Sequence, residues 1–277
     1  MKPREGKILI LGAEGFVGSH LAERLPQAVL LDDRSLPKAR FERTVVGDIR
    51  GDIASLIEGK DLVIHAACRD IRHSMTEPME DADVNVLGTL NVLIACRKFQ
   101  VPCFYISSVS VTHEVSHYAV SKSAAERYTL MYRAWVPTCV VRLSNVFGPR
   151  DTESVIAKWL VQDEITLVDP SATRDFTFIE DTLDGILKAI EAWPEEVVNI
   201  GTGVETSLGS LAEWIAKRLG KPIRRMPPRE IDNVIRRVVD PEPAQRLIGY
   251  RAKWSLEEGL EETIRWNEKH RIAGGEC

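Results

Sequence analysis

The sequence predicts an α/β fold in which a doubly wound parallel sheet carries a smaller C-terminal lobe. From Lys7 to about Asn145, short apolar runs alternate with stretches of helical periodicity. Such alternation is typical of a parallel sheet with helices on both faces. After about residue 150 the alternation loosens, which indicates a second structural unit. The predicted strands are 7–11, 28–32, 44–46, 61–66, 103–107 and 138–143, and the predicted helices are 15–25, 52–57, 80–99 and 117–134.

The chain length suits one large α/β domain, or one domain with a smaller lobe. The 277 residues are 44% hydrophobic and 28% charged, an ordinary composition for a globular protein. We predict that residues 1–150 form the main domain and that 176–202 return to its sheet. Residues 151–175 and 203–277 are predicted to build mainly the lobe over the strand ends, where ligands of such sheets bind.

Charge and cysteine usage narrow the classes of partner. The formal net charge is -5 and the sequence has no basic tract, so we expect neither nucleic acid nor an acidic membrane surface as a partner. We also expect no membrane span and no signal peptide, because no apolar stretch is long enough. The cysteines lack C-x-x-C or metal-type spacing, which predicts reduced thiols, a cytoplasmic location and no bound metal. They are Cys68, Cys96, Cys103, Cys139 and Cys277.

A glycine-rich turn after the first strand predicts a phosphate-binding site. The apolar run 7–11 leads into Gly12, Gly15 and Gly18 and then into a helix. Backbone N–H groups at the start of such a helix point outward at the positive end of its dipole. Gly12 permits the tight turn, Gly15 lets phosphates approach, and Gly18 lets helix and strand pack closely. Phe16 and Val17, at the helix start, belong to the predicted cofactor site. The spacing is G-x-x-G-x-x-G, and a plain glycine-rich turn is the alternative.

Acidic residues at the ends of the second and third predicted strands indicate how the adenosine part of a dinucleotide is bound. Asp32 and Asp33 end the second strand, and a carboxylate about 20 residues after the glycine turn accepts hydrogen bonds from the adenine ribose. It also repels a 2′-phosphate, which favours NAD over NADP, although the neighbouring Arg34 keeps NADP open. After the third strand, Asp48 is predicted to bind the adenine amino group, and Ile49 is predicted to pack on the ring.

Two further segments complete the predicted cofactor site. Ala66 and Ala67 follow the fourth strand, and their small side chains leave space for an extended ligand. Asn85 lies beside the apolar face of the helix at 80–99, where it either supports the neighbouring strand ends or is exposed; we include it in the cofactor site. His65 is predicted to be a buried structural histidine.

Tyr118 and Lys122 form the pair on which catalysis depends. Four residues apart at a helix start, they share one helical face. A free phenol has a pKa of about 10, and a neighbouring ammonium lowers that pKa by stabilising the phenolate. The tyrosine then takes a proton from a substrate hydroxyl while hydride leaves the same carbon. Ser107 and Ser108 end the preceding strand, where a serine hydroxyl can hydrogen-bond the reacting oxygen.

Taken in order, these segments resemble the extended short-chain dehydrogenase/reductase family, and within it the nucleotide-sugar epimerase/dehydratase group. The resemblance covers nearly the whole chain. It is carried by GAEGFVGSHL, LDD, GDI, HAA, NVLGT, ISS, YAVSK, VVRLSNVFGPR (140–150), TRDFTFIEDTLDGI (173–186), VVNIGTG (197–203) and WSLEEGLEETIRW (254–266).

The resemblance implies a Rossmann-type NAD-binding domain, a substrate-binding lobe and roles for individual residues. Tyr118 is the base, Lys122 lowers its pKa and holds the nicotinamide ribose, and Ser108, rather than Ser107 or Ser110, holds the reacting oxygen. Substrate binding falls to Asn145, Arg174 and Arg229 by the same likeness. A homodimer is expected through the helices at 80–99 and 117–134. Arg142 and Arg150 are candidates for a phosphate fork, although Arg142 also suits a structural ion pair.

Departures from the family pattern narrow the reaction. Thr112-His113 stands where members commonly have Tyr-Gly, and the stretch from Ser108 to Tyr118 is shorter than usual. Val109-Ser110 replaces the Asp-Glu pair of 4,6-dehydratases, which disfavours dehydration. The resemblance then implies C4 epimerisation of a UDP-hexose through a 4-keto intermediate. An NAD(P)-dependent sugar-nucleotide reductase or dehydrogenase and a non-catalytic dinucleotide-binding sensor are the alternatives.

Overall fold

A computed structural model describes residues 6–33, 40–227 and 233–273. Its strands are β1 (Ile8–Leu11), β2 (Val29–Asp32), β3 (Val45–Val46), β4 (Leu62–His65), β5 (Cys103–Ser108), β6 (Thr138–Leu143), β7 (Asn145–Phe147), β8 (Ile165–Leu167), β9 (Thr173–Arg174), β10 (Phe176–Phe178), β11 (Val198–Ile200), β12 (Thr206–Ser207), β13 (Ile223–Arg225) and β14 (Arg236–Arg237).

The helices follow the apolar periodicity of the sequence. They are α1 (Phe16–Arg24), α2 (Ala54–Ile57), α3 (His73–Thr76), α4 (Pro78–Ala82), α5 (Thr89–Phe99), α6 (His117–Tyr132), α7 (Val155–Val161), α8 (Ile179–Ala192), α9 (Leu208–Leu219), α10 (Glu242–Ile248) and α11 (Leu256–Ala273). A π-helical segment (Asp83–Gly88) joins α4 to α5, and a 3-10 turn (Val109–Thr112) follows β5. The predicted helix 80–99 is therefore divided among α4, the π-helical segment and α5.

The main sheet has seven strands in the order β11-β6-β5-β4-β1-β2-β3. All its pairings are parallel. The six predicted strands are all present, with ends that differ by at most one residue, and β11 adds a seventh from the 176–202 segment. The predicted doubly wound α/β fold is confirmed.

Alternate residues of the strands supply two apolar layers, as the period of a strand requires. Ile8 and Ile10 of β1 pack on the side of Leu21 from α1. Leu9 and Leu11 pack in the other layer, with Leu93 of α5. Because both faces of the sheet are covered, polar groups are reachable chiefly at the ends of the strands.

Three small sheets lie outside the main one: β10-β7, β12-β9-β14 and β13-β8. Helices α10 and α11 return to the main body, where α10 packs against α8 and β11 and α11 packs against β10. The predicted division into main domain and lobe stays a prediction. Within the described residues, no helix combines the length and apolar character needed to cross a bilayer.

Candidate active site

The glycine turn between β1 and α1 requires two of its glycines for its own geometry. Gly12 has φ +78°, and a Cβ there would lie 2.6 Å from the Ala67 backbone. A Cβ on Gly18 would lie 1.9 Å from the Gly12 carbonyl oxygen. Side chains are therefore excluded from both positions by the turn and by the β4 end beside it.

Gly15 is different, because the contacts within the protein do not strictly exclude a side chain at this position. A Cβ there would meet only the Gly12 carbonyl oxygen, at 3.3 Å. Gly15 is the N-cap of α1, and among the residues that the structure describes no side chain caps this helix. The N–H groups of the first turn, which includes the half-buried Phe16 and Val17, are thus left to an outside acceptor. This cradle fits the diphosphate of a dinucleotide.

Asp32 and Asp33 lie beside the turn, and both have partners in the protein. Asp32 is buried and accepts a hydrogen bond from the Glu14 N–H at 2.9 Å. Asp33 is ion-paired with Arg69 at 3.1 Å. Ribose binding by these carboxylates stays a prediction, and Arg34 lies outside the described residues.

Glu14 is a residue that sequence reasoning missed. It is fully buried, and its carboxylate accepts hydrogen bonds from the Arg40 N–H at 2.6 Å and from the Thr44 hydroxyl. These contacts fix the chain before β3 against the glycine turn. The only sequence signal was an acid between two glycines.

Asp48 and Ile49 take structural partners. The Arg50 guanidinium, 3.0 Å from the Asp48 carboxylate, lowers the pKa of Asp48. Ile49 is 4% exposed, and its side chain packs close to Gly88. The structure therefore gives Ile49 a place in the core, and contact of either residue with adenine stays a prediction.

Asn85 is hydrogen-bonded to the loop that follows β4. Its amide accepts from the Arg69 N–H at 2.8 Å and donates to Asp81 at 2.7 Å and to Ser121 at 3.1 Å. Asn85 is buried, so it supports the loop that follows the half-buried Ala66 and Ala67. The sequence left open whether Asn85 supports the strand ends or is exposed, and the structure shows the supporting role. Its direct contact with a cofactor stays a prediction.

His65 is a buried structural histidine, as predicted. It is fully buried and hydrogen-bonded to the Thr89 hydroxyl at 2.9 Å. Burial, with the nearby Lys122 cation, lowers the pKa of His65 to about 3. The imidazole is therefore neutral near pH 7 and does not supply a proton there.

Ser108, Tyr118 and Lys122 come together at the carboxyl edge of the sheet. Ser116 caps α6, accepting the Ala119 N–H at 3.2 Å, and this fixes where the helix of Tyr118 and Lys122 begins. The Lys122 ammonium donates to the Ile106 carbonyl at 2.8 Å and lies 4.3 Å from the centre of the Tyr105 ring. The Tyr118 phenol lies close enough to Ser108 and Lys122 for both to act on its pKa.

Opposing effects act on the Tyr118 phenol. Burial raises the pKa of Tyr118, and the neighbouring Cys68 adds to this, whereas Lys122 and Ser108 lower it. Lys122 acts in the predicted direction, but burial outweighs it and the net pKa is raised. The positive nicotinamide of a bound cofactor acts in the same direction as Lys122. The proximity of Cys68 to this site was not predicted.

Ser107 faces a different environment from Ser108. Its hydroxyl donates to Glu126 at 2.6 Å, and Arg142 donates to the same carboxylate at 3.0 Å. Arg142 is therefore an ion-pair partner, one of its two predicted roles, and Arg150 is paired with Glu23. With both arginines engaged at separate carboxylates, the phosphate fork considered from the sequence is not formed.

The predicted substrate residues differ in their environments. The Asn145 side-chain oxygen is buried and has no hydrogen-bond partner within the described part of the chain, as expected of a group that binds a ligand. Arg174 donates to the Val234 carbonyl at 2.9 Å, so it also holds the chain before β14. Arg229 lies outside the described residues. His113 and His117 are exposed.

Comparisons with known proteins identify the family of this chain. The model of the NAD dependent epimerase/dehydratase family matches residues 8–201. The chain is 32% identical to a putative UDP-glucose 4-epimerase of Methanocaldococcus jannaschii, over 94% of this chain and 97% of that protein. It is 26% identical to a UDP-N-acetyl-alpha-D-glucosaminuronate decarboxylase of Bacillus cytotoxicus, with the same coverages. MoeE5 in complex with UDP-glucuronic acid and NAD superimposes with a TM-score of 0.88 at 27% identity, covering 96% of this chain and 100% of that one.

These similarities identify the cofactor. The matching family is NAD-dependent, and the neighbouring structure holds NAD on the same fold. The predicted cofactor, NAD, is therefore confirmed, and the cradle at Gly15 is a suitable place for its diphosphate.

Proposed function

We propose that this chain, which belongs to the NAD-dependent epimerase/dehydratase family, is a nucleotide-sugar epimerase. Its reaction inverts C4 of the hexose, and its substrate is a UDP-hexose. The observation that carries the proposal is the grouping of Ser108, Tyr118 and Lys122 at one strand edge, beside the glycine cradle. The UDP-sugar in the MoeE5 complex supports the choice of nucleotide.

Each of the three residues has a distinct task in this reaction. Tyr118, as phenolate, takes the proton of the C4 hydroxyl and later returns it to the same oxygen. Ser108 hydrogen-bonds that oxygen as it becomes a carbonyl and then a hydroxyl again. Lys122 stabilises the phenolate. A bound NAD would supply the acceptor and donor of the C4 hydride, and inversion requires the hydride to return to the face opposite to the one that it left.

The turn after Ser108 disfavours loss of water from the sugar. Dehydration needs an acid and a base near the sugar, and this position holds Val109 and Ser110, which are 5% and 6% exposed. Neither side chain titrates near neutral pH. The observation favours epimerisation over dehydration, whereas simple oxidation or reduction uses the same three catalytic residues.

The decisive experiment uses the purified holoenzyme without added NAD. It is incubated with UDP-, dTDP- and GDP-sugars, products are identified by NMR, and NADH is followed by absorbance. We expect a UDP-hexose and its C4 epimer to interconvert with no net NADH. Stoichiometric consumption of NAD(H) would instead identify a reductase or dehydrogenase, and a UDP-pentose product would identify a decarboxylase. Inertness of the wild type equal to that of Tyr118→Phe across the panel would identify a non-catalytic sensor.

A further inference from the structure

The Lys122 ammonium is buried and has no carboxylate beside it. The residue is 2% exposed, and within the described residues it forms no ion pair. Two groups there stabilise its charge at contact distance. One is the Ile106 carbonyl, 2.8 Å from Nζ, and the other is the ring of Tyr105, whose centre lies 4.3 Å from Nζ. Because an uncompensated buried charge is costly, the ring is an essential part of this environment.

The Tyr105 ring is itself held in place by its neighbours. In the sheet, Tyr105 pairs in register with His65 of β4 and with Val140 of β6. The His65 ring meets it edge-on, with the two ring centroids 5.3 Å apart. Ala125 of α6 packs in the same apolar cluster, and Tyr105 is 1% exposed. The ring therefore offers the ammonium a fixed surface.

His65 brings no second positive charge to this ring. Burial and the Lys122 cation lower the pKa of His65 to about 3, so its imidazole is neutral near pH 7. The imidazole is hydrogen-bonded to the Thr89 hydroxyl at 2.9 Å, which fixes its orientation. The negative face of the Tyr105 ring is thus free to attract the Lys122 ammonium alone.

The ring and the hydroxyl of Tyr105 differ in what they contribute. The hydroxyl is buried and has no hydrogen-bond partner within the described part of the chain. A buried hydroxyl without a partner does not stabilise a protein. The ring is therefore the part of this side chain that acts on Lys122, and a phenylalanine in its place would keep that part.

The position of the ammonium determines how strongly it acts on the base. Tyr118 and Lys122 lie one helical turn apart, and Lys122 lowers the pKa of Tyr118. The attraction between two charges falls by about a third when their separation grows from about 4 to about 6 Å. An ammonium that is not held by the ring would act less on the phenol.

Several other titratable groups surround this pair, and the ring variants described below leave all of them in place. Within the described residues, none of the carboxylates among them is ion-paired with Lys122. These groups are His65 of β4, Cys68 in the loop after it, Asp81 of α4 and Glu126 of α6.

We propose that Tyr105 is a positioning residue of the reaction, and that its ring holds the Lys122 ammonium where it acts on Tyr118. Tyr105 does not contact the reacting atoms and acts only through Lys122. The inference rests on the proposed function, in which Tyr118 is the base, and adds a residue to its machinery.

The test compares Tyr105→Leu with Tyr105→Phe in the holoenzyme. Leucine removes the ring, so the pKa of Tyr118 should rise, and a base with a raised pKa becomes active at higher pH. We expect the rising limb of kcat/KM to move to higher pH by about half to one unit in Tyr105→Leu. Tyr105→Phe keeps the ring and should move the limb by less than about 0.2 unit.

Phe104→Leu is the matched control for lost packing. Phe104 precedes Tyr105 in β5, is 0% exposed and packs in the opposite apolar layer, near Trp193. Chemical denaturation should show a loss of stability in Phe104→Leu as in Tyr105→Leu. A purely structural effect would be the same in both variants, whereas the rising limb should move only in Tyr105→Leu.

A second readout does not require turnover. Phenolate absorbance in the near ultraviolet, taken as the difference between each holoenzyme and the same protein carrying Tyr118→Phe, follows the titration of Tyr118 directly. We expect this titration to move to higher pH in Tyr105→Leu and to stay in place in Tyr105→Phe and Phe104→Leu.

The outcomes separate the two proposals. An unmoved titration in Tyr105→Leu, or equal shifts in Tyr105→Leu and in either Tyr105→Phe or Phe104→Leu, would overturn the role of the Tyr105 ring and leave the epimerase proposal standing. A shifted titration in a protein that epimerises no UDP-sugar would overturn the proposed function and leave the hold of the ring on Lys122 intact.

Discussion

At the scale of single residues, the site depends on how burial and charge compete at one phenol. Burial raises the pKa of Tyr118, while Lys122 and Ser108 lower it. In the absence of the cofactor burial dominates, so the protonated phenol is the resting form. In the proposed reaction Tyr118 must lose this proton, so we expect the positive nicotinamide of bound NAD to add to the effect of Lys122 and to make the phenol a more effective base.

The pH dependence of the rate follows from these shifts. A base is active when deprotonated, so kcat/KM should rise with pH through the pKa of Tyr118. Lys122→Met removes the cation that lowers this pKa, and the rising limb should move to higher pH by about one to three units. pH–rate profiles of both proteins measure the change. Lys98→Met, on the outer surface of α5, is the control, and an unmoved limb in Lys122→Met would contradict the role of the ammonium.

At the scale of elements, the glycines of the turn before α1 differ in how far the fold depends on them. Backbone contacts exclude a side chain at Gly12 and Gly18, whereas a Cβ at Gly15 would meet the Gly12 carbonyl oxygen at 3.3 Å. Substitutions at Gly15 and Gly18 should therefore have different effects.

We expect Gly15→Ala to fold with little loss of stability and to bind NAD more weakly, because its methyl group enters the cradle. Gly18→Ala should lower the free energy of unfolding as well, since its Cβ overlaps the Gly12 carbonyl. Thermal unfolding and NAD titration of the two apoproteins measure both quantities. Identical losses of stability in the two variants would contradict this division.

The catalytic helix is also anchored by a buried ion pair. Glu126 of α6 binds Ser107 of β5 and Arg142 of β6. Glu126→Ala leaves Arg142 unpaired in a part-buried position and should cost about 3–5 kcal/mol of stability. Chemical denaturation measures this cost. The double variant Glu126→Gln with Arg142→Met is the control and should recover much of it, whereas an equal cost would argue against the ion pair.

Local spacing explains which parts of the site the sequence predicted. Tyr118 and Lys122 lie within one helical turn, and the glycines lie within one loop, so their grouping follows from the chain itself. Glu14 and Glu126 acquire their roles from partners 30 and 16 residues away, Thr44 and Arg142. Such contacts follow from strand order, which one sequence does not specify.

At the scale of the whole molecule, α6 and the stretch from the π-helical segment to α5 carry exposed apolar side chains. Leu87 is 58% exposed, Ile94 52%, Val120 51% and Met131 50%. Exposed apolar side chains mark a partner-binding surface where they form one contiguous patch. The expected homodimer through α5 and α6 is consistent with them and stays a prediction.

The double variant Ile94→Glu with Met131→Glu should dissociate that dimer, because it places charges in an apolar contact. Light scattering coupled to size-exclusion chromatography measures the mass. The control is Val204→Glu, at a residue that is 62% exposed elsewhere. A wild-type protein that elutes as a monomer would refute the dimer.

The central claim is that Tyr118 drives reversible oxidation at C4 with the hydride kept on the enzyme. The most direct test follows UDP-glucose and UDP-glucuronate carrying deuterium at C4, using holoenzyme and NMR. The account predicts C4 epimers that retain the deuterium, and a rate at least about a hundredfold lower in Tyr118→Phe with NAD still bound. Loss of the label to solvent, or an unchanged rate in Tyr118→Phe, would contradict it.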